Sequence, residues 1–237
     1  MTDPIILKNT SKSYDPKTWA VQHVNLRVHA GEFFCIVGPS GCGKSTLLKL
    51  IANLEEPTEG KIEASNRTAM VFQSGALLPW LTARDNVGLG LTMQGLPRER
   101  VTRAATRYLA MVGLKPFGSR FPRELSGGQR QRVGIARALA IEPEVLLLDE
   151  PFSSLDQMTT EELHRDLLGI WQQNRLTIVM VSHLLDEALL LADRIAIMRQ
   201  GTMNTIVPVQ IGRPRDPHGQ PFITQLKRLK HLIASTK

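Results

Sequence analysis

Short apolar runs of strand length recur along this chain between stretches with helical spacing. Val24, Leu26 and Val28 alternate with polar neighbours, the period-two mark of a half-buried strand, and the N-terminal part as a whole reads as β-rich. Phe33–Val37 is apolar throughout and ends in glycine, which predicts a buried strand feeding a loop. A helix is predicted over Lys44–Leu54, with Leu47, Leu48 and Ile51 on its inner face and Pro57 and Gly60 breaking it. Thr68–Phe72 predicts a short strand reaching Gln73. From Pro79 to Ala138 the pattern changes: Val101, Ala105, Leu109 and Val112 recur at helical spacing and Gly113 suits a helix end. This stretch reads as an inserted helical subdomain. Buried strands return at Val145–Asp149, Thr177–Ser182 and Arg194–Met198, with a helix between Thr159 and Asn174. Strand alternating with helix predicts an α/β core around a parallel sheet.

After Gly212 the sequence RPRDPHGQP reads as an irregular linker. Phe222, Leu226, Leu229 and Ile233 then form an apolar stripe with Lys227, Arg228 and Lys230 around it. Such a helix either packs on its own domain or meets a membrane surface or another subunit. The expected organisation is one domain over residues 1–212, with the helical subdomain at about 79–138, and a linker with a basic amphipathic tail at 213–237.

Composition narrows the class. In 237 residues no apolar run approaches membrane-span length, and the start MTDPIILKNT lacks the basic-then-apolar order of a signal peptide, so a cytoplasmic chain is expected. Cys35 lies in an apolar strand and Cys42 in a glycine-rich loop, which argues against a disulfide or a cysteine metal site. The net charge of +7 permits contact with anionic lipid or nucleic acid. With no long basic run and no interleaved aromatics, no nucleic-acid partner is expected.

The chemistry begins at Gly38-Pro39-Ser40-Gly41-Cys42-Gly43-Lys44-Ser45-Thr46, which matches the phosphate-loop pattern G-x-x-x-x-G-K-[ST] between a predicted strand and helix. Glycines let backbone N–H groups turn toward phosphate oxygens, and the helix adds the positive end of its dipole. Lys44 supplies a charge for the β- and γ-phosphates, and Ser45 a hydroxyl ligand for Mg²⁺. The run Val145-Leu-Leu-Leu-Asp149-Glu150 turns abruptly from apolar to doubly acidic. Alone, it is a buried strand ending in solvated acids. Beside a phosphate loop, Asp149 is expected to hold Mg²⁺ and Glu150 to act as general base on the attacking water. Adjacent strand residues face opposite ways, so the two acids should not share a role.

Leu125-Ser126-Gly127-Gly128-Gln129, read alone, is a serine-capped helix start. With the phosphate loop and the acidic strand, in that order, the chain resembles the ATP-binding cassette of ABC transporters from about Ile5 to Met203. The resemblance implies a P-loop NTPase core of the ABC ATPase type, with an N-terminal antiparallel β subdomain and an inserted α-helical subdomain. It implies that Ser126, Gly127 and Gly128 of the signature meet the γ-phosphate of ATP bound by a second subunit. Gln73 corresponds to the glutamine that touches Mg²⁺ and the attacking water, and Ser154-Leu155-Asp156 to the loop crossing the dimer interface. His183 corresponds to the switch histidine, which bonds the γ-phosphate and orients Glu150. Tyr14 stands where the family places an aromatic on adenine, with Trp19 as a rival. The run QMTTEEL after Asp156 is polar where relatives often carry an Ala-Leu-Thr-Arg stretch, a departure that touches only the dimer contact.

The resemblance further implies a dimer, of two copies, sandwiching two ATP molecules. Leu77, Leu78, Pro79, Trp80 and Leu81 form an apolar loop patch that either packs into the helical subdomain or receives a short helix of a transmembrane permease. Together with PRELSGGQRQRVGIARALA and EPFSSLDQ, it is similar to the importer branch handling nitrate, sulfonates and taurine. Such systems add an extracytoplasmic solute-binding protein and place the ATPase on the cytoplasmic face of the membrane. A soluble ABC-type ATPase acting on nucleic acid or ribosomes is the alternative.

Overall fold

The computed structural model of the chain describes residues 3–15 and 17–235. It divides into two compact units, one made of residues 1–65 with 177–237, the other of residues 66–176.

The first unit contains two sheets. Strands β1 (Ile5–Asp15), β2 (Thr18–Val28) and β4 (Glu59–Ala64) form an antiparallel sheet in the order β2-β1-β4, the N-terminal β subdomain the resemblance implied. Ile5 faces Val28 and Leu7 faces Leu26 across β1 and β2, so their apolar side chains share one buried face. In the second sheet β3 (Phe33–Val37) lies between β7 (Thr177–Ser182) and β8 (Arg194–Arg199), parallel to both. All five residues of β3 and all six of β7 are buried, which explains why they read as continuous apolar runs rather than alternating ones.

Strand β9 (Thr202–Pro208) pairs antiparallel with β8 after a turn through Gln200 and Gly201. The sequence reading, which expected only parallel strands here, missed it: Met203, Ile206 and Val207 follow no regular period in TMNTIVP, and the tight turn rather than periodicity defines the strand. Helix α1 (Lys44–Ile51) follows β3 and stops at Ala52, short of the predicted Leu54. Helices α6 (Leu185–Leu191) and α7 (Gln220–Ser235) complete the unit.

In the second unit, β5 (Thr68–Val71) and β6 (Val145–Asp149) pair in parallel, Thr68 opposite Val145 and Val71 opposite Leu148. Between them run α2 (Ala83–Met93), α3 (Arg98–Met111) and α4 (Gly127–Ala140), and α5 (Gln157–Asn174) follows β6. The stripe expected on α3 is present: Ala105 and Leu109 are fully buried, Val112 lies buried just past the helix, and Gly113 takes the left-handed conformation that ends it.

Among the described residues no helix is long and apolar enough to cross a membrane. The stretch read as a linker is irregular in backbone but pinned. Arg213 bonds the Asp193 carboxylate, and the nearly buried Arg215 donates to backbone carbonyls. Helix α7 packs against α6, and its Phe222 and Leu229 are buried, each burial contributing roughly 1.5–3 kcal/mol. The apolar stripe therefore faces its own unit.

Candidate functional site

In the first unit, β3 delivers the chain into the loop Gly38–Gly43, and α1 begins at Lys44. Gly43 stands at the start of α1 with φ of 102°, and a Cβ there would lie 2.0 Å from the Ala20 carbonyl oxygen. Only glycine fits that conformation and that space. No side chain caps α1, and its N-terminus turns the positive end of the helix dipole toward the loop, where an anion is favoured. Lys44 is 4 % exposed, and its Nζ donates to the carbonyls of Gly38 at 2.9 Å and Pro39 at 3.0 Å. The ammonium is thereby held inside the loop it follows. Cys42 is buried and Ser45 is exposed. Neither Cys35 nor Cys42 is in a disulfide, and burial pushes the Cys35 thiol well above its ordinary range.

His183 follows β7 and is exposed. It shares a cavity of about 430 Å³ with Gly38 and Pro39, so the histidine and the entrance of the phosphate loop, far apart in sequence, come together. Tyr14, on β1, is 61 % exposed. Its hydroxyl bonds the Glu55 carboxylate, and the Lys12 ammonium stands 5.4 Å from the ring centroid. Partial burial and then the Glu55 bond raise the tyrosine's pKa, while a bond with the Thr46 hydroxyl opposes them. Trp19, opposite Ser13 on β2, is 38 % exposed, so two aromatic faces stay open to solvent.

In the second unit, the β5–β6 register puts Gln73 and Glu150 at the same strand ends, each two residues beyond the Val71–Leu148 pair. Gln73 Nε2 donates to Ser153 Oγ at 2.9 Å, and that hydroxyl donates to the Glu150 carbonyl at 3.1 Å. Ser153, which the sequence reading passed over, is the link. Strand β6 ends at Asp149, and Glu150 takes a left-handed φ of 44°. The expectation that the acids face opposite ways as neighbouring strand residues therefore does not apply: the backbone turns between them. A non-glycine residue held in that region is a site of stored strain.

Leu125 is buried, and Ser126 caps α4: its Oγ accepts from the Gln129 N–H at 3.2 Å, and Gln129 Oε1 accepts from the Ser126 N–H at 3.0 Å. Gly127 approaches Leu155 and the Ser154 carbonyl, bringing the LSGGQ and Ser154-Leu155-Asp156 segments side by side. A Cβ on Gly128 would lie 2.3 Å from Thr159 Cγ2. Asp156 caps α5, accepting from the Thr159 N–H at 3.0 Å and its hydroxyl at 2.8 Å. Those bonds, the backbone one first, hold its carboxyl below the ordinary aspartate range.

Two further residues shape the loop after Gln73. Arg137 of α4 donates to the carbonyls of Gly75 and Ala76, both at 2.8 Å. Buried Asn86 accepts from the Leu78 N–H and donates to the carbonyls of Leu78, Leu81 and Thr82, which leaves Trp80 69 % exposed. Leu77, Leu78 and Leu81 are half-buried, so the apolar patch is partly packed and partly presented. Asn86 had a sequence signal only in hindsight, as a polar residue on an otherwise apolar helix face.

Among the described residues no three His, Cys, Asp or Glu side chains gather to hold a metal ion. The expected set of a Ser45 hydroxyl, an Asp149 carboxylate and a Gln73 carboxamide is all oxygen and carries one charge. It suits Mg²⁺, which takes one or two protein carboxylates together with phosphate oxygens.

Residues 21–153 match the family model of the ABC transporter. The chain is 44% identical over 229 residues to the bicarbonate transport ATP-binding protein CmpD of Synechocystis sp., covering 90% of this chain and 81% of that one. It is 44% identical over 210 residues to the nitrate import ATP-binding protein NrtD of Synechococcus elongatus, covering 83% and 77%. Among solved structures, the dimeric post-hydrolysis ATP-binding cassette MJ0796 with ADP and Pi superposes with a TM-score of 0.80 at 34% identity, covering 88% of this chain and all of that one.

Proposed function

Because the chain belongs to the ABC transporter family, as an ATP-binding subunit with ATPase activity, we propose that it powers a membrane importer of a small anion. Nitrate, a sulfonate and taurine are the solutes its sequence first suggested. The bicarbonate and nitrate relatives support the anion class. In this reading the subunit works as a homodimer on the cytoplasmic face of the membrane. Transmembrane permease subunits and an extracytoplasmic binding protein carry the solute.

The phosphate loop carries the reading. An uncapped helix N-terminus, a glycine-built turn and a lysine held by loop carbonyls are ready for nucleotide phosphate. Lys44 exchanges loop carbonyls for β- and γ-phosphate oxygens, and the exposed aromatics, Tyr14 first, stack on adenine. Ser45 and Asp149, with Gln73, hold Mg²⁺, which neutralises phosphate charge when bound. Glu150 takes a proton from the attacking water, Gln73 orients that water, and His183 bonds the γ-phosphate. Ser126, Gly127 and Gly128 of the other subunit close over the same phosphate, and Ser154-Leu155-Asp156 crosses between subunits. Closing and reopening of the pair is the output, passed through the Trp80 loop to the permease.

Glu150→Gln tests the chemistry. ATP turnover should fall by about two orders of magnitude or more, while nucleotide binding persists and ATP drives the variant into dimers visible by light scattering. Undiminished turnover would falsify the assignment of the base. Co-purification from detergent-solubilised host membranes tests the partners. An integral membrane protein should be recovered; soluble ribosomal or nucleic-acid-bound partners alone would favour the soluble alternative.

A further inference from the structure

The C-terminal segment lies outside the chemistry described above, yet it is built into the element that carries His183. Helix α6 begins two residues after His183, and a helix cannot satisfy its own last four carbonyls. Here the four are Leu189, Leu190, Leu191 and Ala192, and two arginines of one short stretch take all of them. Arg215 Nη1 reaches the carbonyls of Leu189 at 2.8 Å, Leu190 at 3.1 Å and Ala192 at 2.7 Å, one of its two N–H groups being shared between two of them, and its Nε donates to Ile211 at 3.0 Å. Arg213 donates to Leu191 and pairs with Asp193. Asp193 in turn accepts from the Phe33 N–H at 3.0 Å, at the start of the strand that feeds the phosphate loop.

At its other end α6 is tied to the histidine's own turn. Ser182 Oγ donates to the Glu187 carboxylate at 2.7 Å and accepts from the Leu184 N–H at 3.0 Å, so the residues on either side of His183 are fixed to α6. Helix α7, anchored by Phe222 and Leu229, carries Ile233 into the cavity that holds His183, Gly38 and Pro39. The buried guanidinium sits in a costly place for a charge: burial, then the neighbouring Arg213, pulls its pKa down to about 10. A charge kept there needs the carbonyls around it, and it complements the negative end of the α6 dipole.

We propose that Arg215 is a positioning residue for ATP hydrolysis: it fixes the C-terminal end of α6, and α6 fixes His183 through Glu187 and Ser182. The proposal rests on the reading of His183 as the γ-phosphate contact. It assigns the C-terminal segment a part in turnover rather than in membrane or subunit contact.

The experiment measures kcat and KM for ATP in the full-length chain carrying Arg215→Lys, Ser182→Ala or His183→Ala, and in each pair with His183→Ala. A misplaced histidine should lower kcat about tenfold in Arg215→Lys and in Ser182→Ala, with KM moving less than about twofold. Neither substitution should cost more once His183 is already alanine, because the effect travels through that residue. A merely structural role would instead reduce the folded fraction and leave kcat per active site unchanged. Wild-type turnover in both single variants, or losses that add in full to that of His183→Ala, would overturn the proposal and leave the ATPase reading standing. Unchanged turnover in His183→Ala would overturn the reading of the histidine itself. Should Arg215→Lys fail to fold, Arg215→Gln, which keeps a donor for the α6 carbonyls without the buried charge, takes its place beside Ser182→Ala, with the same outcomes read.

Discussion

Two helices in this molecule begin at glycine-rich segments, and they begin in different ways. Helix α1 has no side-chain cap, starts from a left-handed Gly43, and is followed at once by a buried lysine. Helix α4 is closed by a reciprocal box in which Ser126 and Gln129 satisfy each other's N–H groups. An end with no side-chain cap leaves its dipole open to an anion, whereas a reciprocal box closes the other end with its own side chains. The phosphate loop is therefore the part of the protein that nucleotide should stabilise. The signature should stand preformed, adding its hydroxyl and glycine amides late.

The strongest way to break that contrast is Lys44→Ala. Removing the charge from a desolvated phosphate pocket should cost about 2–5 kcal/mol of nucleotide affinity, roughly 30- to 5,000-fold, read by equilibrium dialysis. Ser126→Ala should leave single-subunit affinity within about twofold while reducing turnover. Equal losses of affinity in the two variants would sink the distinction.

Glycine substitution separates the two segments again, by urea denaturation. Gly43→Ala meets both a positive φ and a backbone oxygen at 2.0 Å, neither of which a side chain can relieve, and should destabilise by about 3 kcal/mol or more. Gly128→Ala collides only with the Thr159 methyl group, at a cost of about 1–3 kcal/mol. Thr159→Ser removes that methyl, keeps the hydroxyl on Asp156, and should restore most of the loss. No comparable second-site change should rescue Gly43→Ala.

Saturating ATP sharpens the comparison. At about 100 times its dissociation constant it should stabilise the protein by about 2.7 kcal/mol, raising Tm by roughly 5–10 °C. Loss of the α4 cap in Ser126→Ala should lower Tm by only about 2–4 °C, from a cap worth about 1 kcal/mol. The smallest effect belongs to Asp156. Its carboxyl is held below the ordinary range in the folded chain, so its contribution is complete above the unfolded aspartate value and is lost as pH falls through the depressed one. Denaturation of wild type and Asp156→Asn should differ most near neutral pH and converge in acid. A gap that widens with acidification would contradict the cap.

How far these regions were legible in the sequence follows from how local their causes are. The phosphate loop, the LSGGQ segment and the strand Val145–Asp149 are written in consecutive residues, and the structure places each at the strand end or helix start expected of it. Strand β9 and the cap at Asp156 were missed, because a pairing partner or a helix start defined them rather than a hydrophobic period. Ser153, Asn86, Arg137 and Arg215 were missed for a second reason. Each serves backbone groups whose positions no pattern along the chain reveals.

The order of motifs and the run of buried strands, and with them the family and the ATPase chemistry, lay in the sequence by itself, since glycine conformations, charge and apolar period act within a few residues. Only the tertiary structure decided that His183 shares a cavity with the phosphate loop and that Gln73 reaches Glu150 through Ser153. It alone turned an apparent linker into a clip on α6. The physical reason is that buried carbonyls and carboxylates must find partners wherever the fold has put them, and the partner that satisfies them can come from any distance along the chain.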